Sequence, residues 1–462
     1  MRLNQLLQNV PVRQIQGDSS VEVGPIRFDS RQVQPGDVFV AVRGAQADGH
    51  QFIDTAIEKG AAAIVCETSD GVTQSHPVTI LTQSHPVAIL TQSHPVTILV
   101  QDSAEALGIM ADNFYRNPSR EFQLVGVTGT NGKTTTVTLL WQLFTRLGFK
   151  AGLIGTVENR VGEEVLHSTH TTPDAVQLHG LFRRMADAGC SHVFMEVSSH
   201  AVQQRRIAGA TFAGGVFTNL THDHLDYHGT FAAYRDAKKR FFDDLPKTAF
   251  ALVNADDKNG AVMLQNTRAE KKTYSLRKPA DFKAKILENS LGGLHLEIDG
   301  TEMHARMIGE FNAYNLLAAY AVAALAGQFT KPSRFSKLEI LSALSDLRGA
   351  EGRFDYVSHP AKAGCIGIVD YAHTPDALEK VLETIGKLKK KGSRVITVAG
   401  AGGDRDKTKR PVMAQVSARL TAVLAPSSQE RVENQRAVAT RHGPLLTCKP
   451  AVWMDTTLTR GC

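Results

Sequence analysis

The sequence predicts an α/β protein of three domains. These are a small N-terminal α/β domain, a central domain on a P-loop-type, mostly parallel sheet with helices on both faces, and an incomplete Rossmann-like C-terminal domain. Three observations lead there. The 462 residues are too many for one ordinary core. Strand-like runs alternate with helical patterns from residue 122 through 345, as a largely parallel sheet covered by helices requires. An apolar strand, Phe122 to Val127, runs into a glycine-rich turn that opens a helix. The domains are expected at 1–103, 104–350 and 351–462.

Leu3, Leu6, Leu7 and Val10 sit at helical spacing, so the N-terminus reads as a short amphipathic helix rather than a secretory leader. Pro35-Gly-Asp turns into the apolar run Val38 to Val42, and a helix over 53–59 and a strand over 62–65 follow. Residues 73–99 then carry one nine-residue unit three times. Each copy has a polar turn and a β-prone tail, so one suffices as loop plus strand and two are expected as a surface excursion. Solenoid repeats run longer. His76, His85 and His94 each precede proline in the same context, and duplication accounts for them without a metal. Residues 102–120 read as a helix and polar loop forming a linker. Beyond 351 the pattern predicts strands at 366–370, 394–399 and 421–425 and helices at 375–390 and 409–420. From Pro426 to Cys462 neither helical nor strand periodicity continues, so the third sheet is expected to be short of strands.

Composition narrows the function class. A hydrophobic fraction of 42% and a charged fraction of 21% belong to a soluble globular protein. No stretch approaches the roughly 20 apolar residues that span a bilayer, and a cytoplasmic location is expected. The five cysteines lie far apart without a CxxC pair, which argues against a disulfide framework or zinc site. The net charge of +6 is spread among acidic residues. Its one cluster, Lys389 to Lys391, reads as a solvated helix end rather than a nucleic-acid site. Small-molecule partners and a monomer are expected.

The chemistry concentrates in Gly126-Val-Thr-Gly-Thr-Asn-Gly-Lys-Thr-Thr. It follows a strand and opens a helix with Val137, Leu140, Phe144 and Leu147 on one face, stopped at Gly148. Glycines let backbone N–H groups wrap phosphates, and the helix N-terminus favours anions. Lys133 can reach the terminal phosphate, and Thr134 can hold magnesium. The strict GxxxxGK[ST] pattern is broken by Val127 at its first glycine.

Thr128-Gly-Thr-Asn-Gly-Lys-Thr-Thr resembles the nucleotide loop of the Mur ligase family, and further segments agree in order. Phe28-Asp-Ser-Arg, Pro-Gly-Asp-Val-Phe-Val and Arg43-Gly-Ala-Gln-Ala-Asp-Gly are similar to its uridine-diphosphate-binding domain. Glu196-Val-Ser-Ser-His, Phe217-Thr-Asn-Leu-Thr-His-Asp-His-Leu-Asp-Tyr-His and Gly309-Glu-Phe-Asn-Ala-Tyr-Asn are similar to the central domain. Glu351-Gly-Arg-Phe, Asp370-Tyr-Ala-His-Thr-Pro-Asp-Ala and Gly402-Gly-Asp-Arg-Asp-Lys open the third. The resemblance covers residues 20 to 425 and implies a ligase that uses ATP and Mg2+. ATP phosphorylates a carboxylate to an acyl phosphate, which an amine attacks. The reaction so implied adds meso-diaminopimelate to the D-glutamate of UDP-N-acetylmuramoyl-L-alanyl-D-glutamate in peptidoglycan precursor synthesis.

The same resemblance assigns residues. Thr128, Gly129, Thr130, Asn131, Gly132, Lys133 and Thr134 would hold ATP, joined by Arg353, Asp370 and His373 from the third domain. Asn312 and Asn315 are matched to adenine contacts, with helix capping by Asn312 an equal alternative. Glu196 and His224 look like metal-site groups beside Thr134, and Lys238 matches a lysine that becomes carbamoylated and then ligates magnesium. The alternative for Lys238 is a solvated helix lysine. Ser30, Ala45, Gln46 and Ala47 match the uridine-diphosphate site, and Thr171, Thr172, Ser198, Gln204 and Arg206 match the muramoyl-peptide site. Arg206 suits a carboxylate clamp, being planar and always charged. Arg405 matches an arginine that meets the incoming amino acid.

One departure qualifies this. Where the family pattern has Asp-Asn-Pro-Arg, this chain has Ala425-Pro-Ser-Ser-Gln-Glu-Arg, and the later Gly-Lys-Gly-His-Glu does not occur. An aberrant or truncated C-terminus is therefore expected, with weakened amino-acid binding. Lysine is the alternative amino acid. A nucleotide-binding pseudoenzyme is the competing reading from another class. A folylpolyglutamate-synthase-like role is opposed by the Asp-Ser-Arg and Gln-Ala-Asp-Gly segments.

Overall fold

The computed structural model describes residues 1–44, 47–68, 94–168, 170–223, 225–329, 335–358, 365–399, 409–421, 423–426 and 451–455. They form two compact units: residues 1–124, 172–191 and 200–212, and residues 125–171, 192–199 and 213–462.

The first unit is built on five strands: β1 (Val12–Gln16), β2 (Ile26–Arg27), β3 (Val38–Val40), β4 (Ala63–Cys66) and β5 (Val96–Val100), in the order β1-β5-β4-β3-β2. β2 to β5 pair in parallel and β1 closes the edge antiparallel to β5. β3 and β4 are buried along their whole length, as runs of Val, Ile and Phe in a covered parallel sheet should be. β5 is the tail of the third repeat copy, so one copy does supply the strand; the other two lie outside the described residues. The N-terminal helix is a single turn, Leu3–Leu6, yet Leu3, Leu6, Leu7 and Val10 are all buried. The stretch read as a linker is corrected: helix Ser103–Phe114 sends Ala106, Leu107, Met110 and Ala111 into this core. Helix Ala175–Asp187 packs here too, and its buried His179 meets Asp112 at 3.3 Å.

The second unit holds two sheets. The larger comprises β6 (Gln123–Thr128), β7 (Ala151–Ile154), β8 (Glu158–Val161), β9 (Glu164–His167), β10 (His192–Glu196), β11 (Gly214–Phe217), β12 (Phe250–Asn254), β13 (Glu270–Ser275), β14 (Phe282–Ser290), β15 (Gly293–Ile298) and β16 (Thr301–Ala305). Its order is β16-β15-β14-β13-β12-β11-β6-β10-β7-β8-β9. Strands β14, β13, β12, β11 and β6 pair in parallel, and so do β10 and β7, while the edges β8–β9 and β15–β16 turn antiparallel. The last hairpin turns on Asp299-Gly300, both at positive φ, a natural two-residue hairpin turn. Helices Lys133–Arg146 and Glu310–Phe329 share one core, in which Val137, Leu140, Phe144, Leu316, Leu317 and Val322 are buried.

The smaller sheet comprises β17 (Asp355–Ser358), β18 (Cys365–Val369), β19 (Arg394–Ala399), β20 (Val423–Pro426) and β21 (Ala451–Asp455), in the order β17-β18-β21-β19-β20. The strands and helices expected up to residue 425 are present, including helices Pro375–Leu388 and Lys409–Leu420. The reading of 426–462 as strandless is corrected. β21 lies between β18 and β19 and pairs antiparallel with both, so only β19 and β20 are parallel neighbours here. Five residues cannot show a period, and this strand is specified by two distant neighbours rather than by its own pattern. Lys389, Lys390 and Lys391 are exposed at a helix end, as read. Cys66 and Cys190 are buried free thiols. Among the described residues no helix is long and apolar enough to cross a membrane.

Candidate active site

Parallel sheets gather chemistry at the carboxyl ends of their strands. β6, β10 and β11 end side by side at Thr128, Glu196 and Phe217. Gly129 has φ +153° and Gly132 has φ +89°, conformations that L side chains rarely adopt. At Gly129 a Cβ would lie 1.9 Å from the Thr218 hydroxyl oxygen, so no other residue fits there. The two non-glycine loop residues are held from outside. Thr130 Oγ1 accepts the Thr221 N–H at 3.0 Å and lies 3.1 Å from the Tyr234 hydroxyl. The Asn131 carbonyl accepts Thr218 Oγ1 at 2.6 Å and Asn219 Nδ2 at 3.0 Å.

Two lysines converge on this loop. Lys133 Nζ donates to the carbonyls of Gly129 and Thr130, both at 2.9 Å. Lys238 Nζ donates to the same Gly129 carbonyl at 3.0 Å and sits 4.8 Å from the Tyr234 ring centroid. Lys238 is 1% exposed, so it is no solvated helix lysine. Burial lowers the pKa of Lys133, and burial together with the neighbouring Lys133 ammonium pushes that of Lys238 well below its ordinary value. Two lysine side chains thus share one carbonyl acceptor, a crowding of basic groups that disfavours charge on Lys238. Glu196 opposes the shift of Lys133, and the buried Asp223, absent from the residues singled out in the sequence, opposes those of both lysines.

Glu196 is buried at the end of β10 and accepts the Thr156 N–H at 2.7 Å. Thr156 Oγ1 in turn donates to Thr171 Oγ1 at 3.0 Å. Nearby, His228 Nε2 and Ser199 Oγ are 2.9 Å apart. His224 lies outside the described residues, as do Ala45, Gln46 and Arg405.

From beside the smaller sheet, Arg353 reaches the end of the same loop. Arg353 Nη2 donates to Thr134 Oγ1 at 3.2 Å, and its guanidinium lies 4.5 Å from the Tyr371 ring centroid. Asp370 accepts the N–H groups of Phe354 and Ala372, and burial raises its pKa. His373 has its pKa lowered by burial. Asn312 and Asn315 are buried beside the loop. Asn312 Nδ2 donates to the Ile308 carbonyl, while Asn315 Oδ1 accepts from Thr136 Oγ1 at 3.3 Å and Asn315 Nδ2 donates to Asn312 Oδ1. Helix Glu310–Phe329 already includes Asn312, so the capping alternative does not hold.

In the first unit, Arg206 Nη1 donates to the Thr172 carbonyl at 2.7 Å, and its Nε and Nη2 donate to Gln204 Oε1. Ser30 is buried, with its carbonyl accepting Lys59 Nζ at 2.9 Å. The Ala47 carbonyl accepts the Gly44 N–H. Ser198 belongs to the second unit. Sequence reasoning passed over Thr218, Asn219, Asp223 and Tyr234. The first three stand in the segment Phe217 to His228 already singled out, and Tyr234 lies one helical turn before Lys238, which was the available signal.

A phosphate-type loop with paired lysines and a neighbouring carboxylate defines a nucleotide-dependent group-transfer enzyme. Sequence profiles make the class specific: the Mur ligase family catalytic domain matches residues 22–115, the Mur ligase middle domain 127–323, and the Mur ligase glutamate ligase domain 352–447. The chain belongs to the Mur ligase family, ATP-dependent enzymes that form C–N bonds. The UDP-N-acetylmuramoyl-L-alanyl-D-glutamate–2,6-diaminopimelate ligase of Cytophaga hutchinsonii is 50% identical over 441 residues, 95% of this chain and 85% of that protein. The enzyme of the same name from Phocaeicola vulgatus is 49% identical over 439 residues, again 95% and 85%. A solved structure of a ligase of that name superposes with TM-score 0.65 at 29% identity, covering 92% of this chain and 82% of that one.

Proposed function

We propose that this chain adds meso-diaminopimelate to the D-glutamate carboxylate of UDP-N-acetylmuramoyl-L-alanyl-D-glutamate, with ATP as phosphoryl donor, in the cytoplasm and as a monomer. The observation that carries the reading is the pair Lys133 and Lys238 converging on the Gly129 carbonyl of a glycine loop, between strand ends that also present Glu196. The names of the relatives support the amino acid and the acceptor.

A carboxylate is a poor electrophile. Transfer of the γ-phosphoryl group to one of its oxygens yields an acyl phosphate and ADP. An amine of the diamino acid then attacks the acyl carbon, inorganic phosphate leaves, and an amide remains. The chain's task is to position the groups and stabilise their charge. Lys133 would leave its loop carbonyls for the terminal phosphate. Arg353, already at Thr134, would add a second cation to the nucleotide, and Asp370 and His373 would follow with it. Arg206 in the first unit would bind a carboxylate of the muramoyl peptide, with Gln204 and Thr172 holding its guanidinium.

The family uses magnesium with its nucleotide. Thr134 and Glu196 offer the hard oxygen donors that this ion prefers, and a buried lysine beside a second ammonium would become such a donor once carbamoylated. The residues therefore fit, and His224 would complete the set. Bound there, the ion supplies charge neutralisation to the phosphates.

The test is incubation with ATP, the UDP-linked dipeptide and equimolar meso-diaminopimelate and L-lysine. Mass spectrometry should find the diaminopimelate tripeptide with one ADP per product. A lysine product would move the assignment to the lysine-adding reaction. Binding of both nucleotides without product would support the pseudoenzyme suggested by the segment after Ala425.

A further inference from the structure

The parallel ladder between β11 and β6 ends at the pair Phe217 and Thr128. The Thr218 N–H still donates to the Thr128 carbonyl at 3.0 Å, and the Thr130 N–H then donates to the Asn219 carbonyl at 2.8 Å. One step further on there is no strand left, and the Asn219 carboxamide takes its place. Asn219 Oδ1 accepts the Asn131 N–H at 3.0 Å, and Asn219 Nδ2 donates to the Asn131 carbonyl at 3.0 Å. A primary amide offers one acceptor and a donor in one plane, as a peptide unit does. The side chain therefore acts as one extra rung of sheet, laid along the loop.

We infer that Asn219 is a positioning residue for the nucleotide: it fixes the loop in its anion-binding shape and decides which of its N–H groups remain for phosphate. The inference rests on the reading of this loop as the ATP site. Glycines at positive φ stand on both sides, so Thr130–Asn131 lies between the two most permissive backbone positions of the loop. Asn219 takes both amides of that dipeptide, one with its backbone carbonyl and one with its side chain. A bound phosphate must then draw on the N–H groups at the start of helix Lys133–Arg146, where the first turn has no intrahelical partner for them. The loop is thus ordered before the ligand arrives.

Two variants of the full chain test this, with ATP affinity measured by calorimetry beside affinity for the UDP-linked dipeptide. In Asn219→Ala both side-chain bonds disappear, and ATP should bind about 10- to 100-fold more weakly. The UDP-linked dipeptide should bind as to the parent, and in turnover KM for ATP should rise far more than kcat falls. Asn219→Asp keeps the acceptor for the Asn131 N–H but loses the donor. It sets a carboxylate oxygen against the Asn131 carbonyl and a negative charge beside the phosphates, so it should bind ATP more weakly than the Ala variant. This isosteric variant carries the test if the Ala variant does not fold. ATP affinity within twofold of the parent in either folded variant overturns the inference. So does an equal loss of ATP, UDP-dipeptide binding and thermal stability, which would mark Asn219 as merely structural. A parent chain that binds no ATP overturns the reading of the site and this inference with it.

Discussion

The two sheets of the second unit are assembled by different rules, and the glycine loop stands at the strand ends of only one of them. Around the loop, β6, β10 and β11 run side by side, and their carboxyl ends deliver Thr128, Glu196 and the segment from Thr218 to Asp223 to one place. In the smaller sheet the middle position belongs to β21, a strand reached from far along the chain and antiparallel to both neighbours. The first arrangement converges strand ends on a ligand. The second fills a gap between β18 and β19, and from beside it Arg353, just before β17, donates to Thr134 at 3.2 Å. Lys133, Lys238 and Glu196 thus gather at the strand ends of the larger sheet, while the smaller sheet contributes Arg353 beside them.

The largest expected effect lies at the loop. Lys133→Ala should lower ATP turnover by about a thousand-fold or more, since a preorganised cation facing the moving phosphoryl group is removed. Binding of the UDP-linked dipeptide, followed by calorimetry, should stay within a few-fold. Retained ligation would remove the loop from the chemistry and dissolve the contrast between the sheets.

The smaller sheet should fail by unfolding instead. Trp453→Pro removes a ladder donor at the centre of β21, where residue 453 pairs with Gly367 and Ile396. Proline in a central strand should cost on the order of 3 kcal/mol, seen as early proteolysis beyond residue 351 while the central sheet melts unchanged. Uniform protection in both sheets would show that β21 is dispensable.

Lys238 sharpens the comparison in the opposite direction. In bicarbonate-free buffer Lys238→Met should abolish turnover yet stabilise the protein by about 1–3 kcal/mol, because a lysine whose charged form is disfavoured by burial and by Lys133 is replaced by a neutral chain. The pKa of Lys238 is depressed on folding from its ordinary value of 10.5. Between the depressed value and 10.5 the unfolded chain holds the extra proton, so parent stability should rise with pH in that window. The Met variant should rise less, as urea titrations at pH 7 and 9 would show. A variant less stable than the parent would contradict this account of Lys238.

How far the sequence could be read follows the same division. The strand–loop–helix unit was legible because local signals agree: an apolar strand, glycines that need positive φ, and an apolar helix face ending at Gly148. Lys133, Lys238 and Glu196 were legible as residues, but not their convergence on one carbonyl, which depends on sheet order. Asn219 was invisible because an asparagine acting as a rung looks like any other. β21 was missed since its pairing is entirely non-local, and helix Ser103–Phe114 was taken for a linker although its apolar spacing already pointed inward.

The smallest effect is expected in the first unit. The third repeat copy supplies β5, so deleting residues 73 to 90 should leave the register of β4 and β5 intact. Loop closure entropy varies slowly with length, so stability should change by about 1 kcal/mol or less. Loss of soluble protein would show that the first two copies are structural.

If this loop activates a carboxylate by phosphorylating it, isotope transfer reads the step directly. The UDP-linked dipeptide would be prepared with 18O in both oxygens of the D-glutamate carboxylate that is ligated, and the inorganic phosphate released during ligation analysed by mass. One 18O should appear in each phosphate, because the oxygen that receives the phosphoryl group leaves with it. Unlabelled phosphate accompanying tripeptide formation would mean that ATP is consumed elsewhere, and would contradict the mechanism assigned to Lys133 and Lys238.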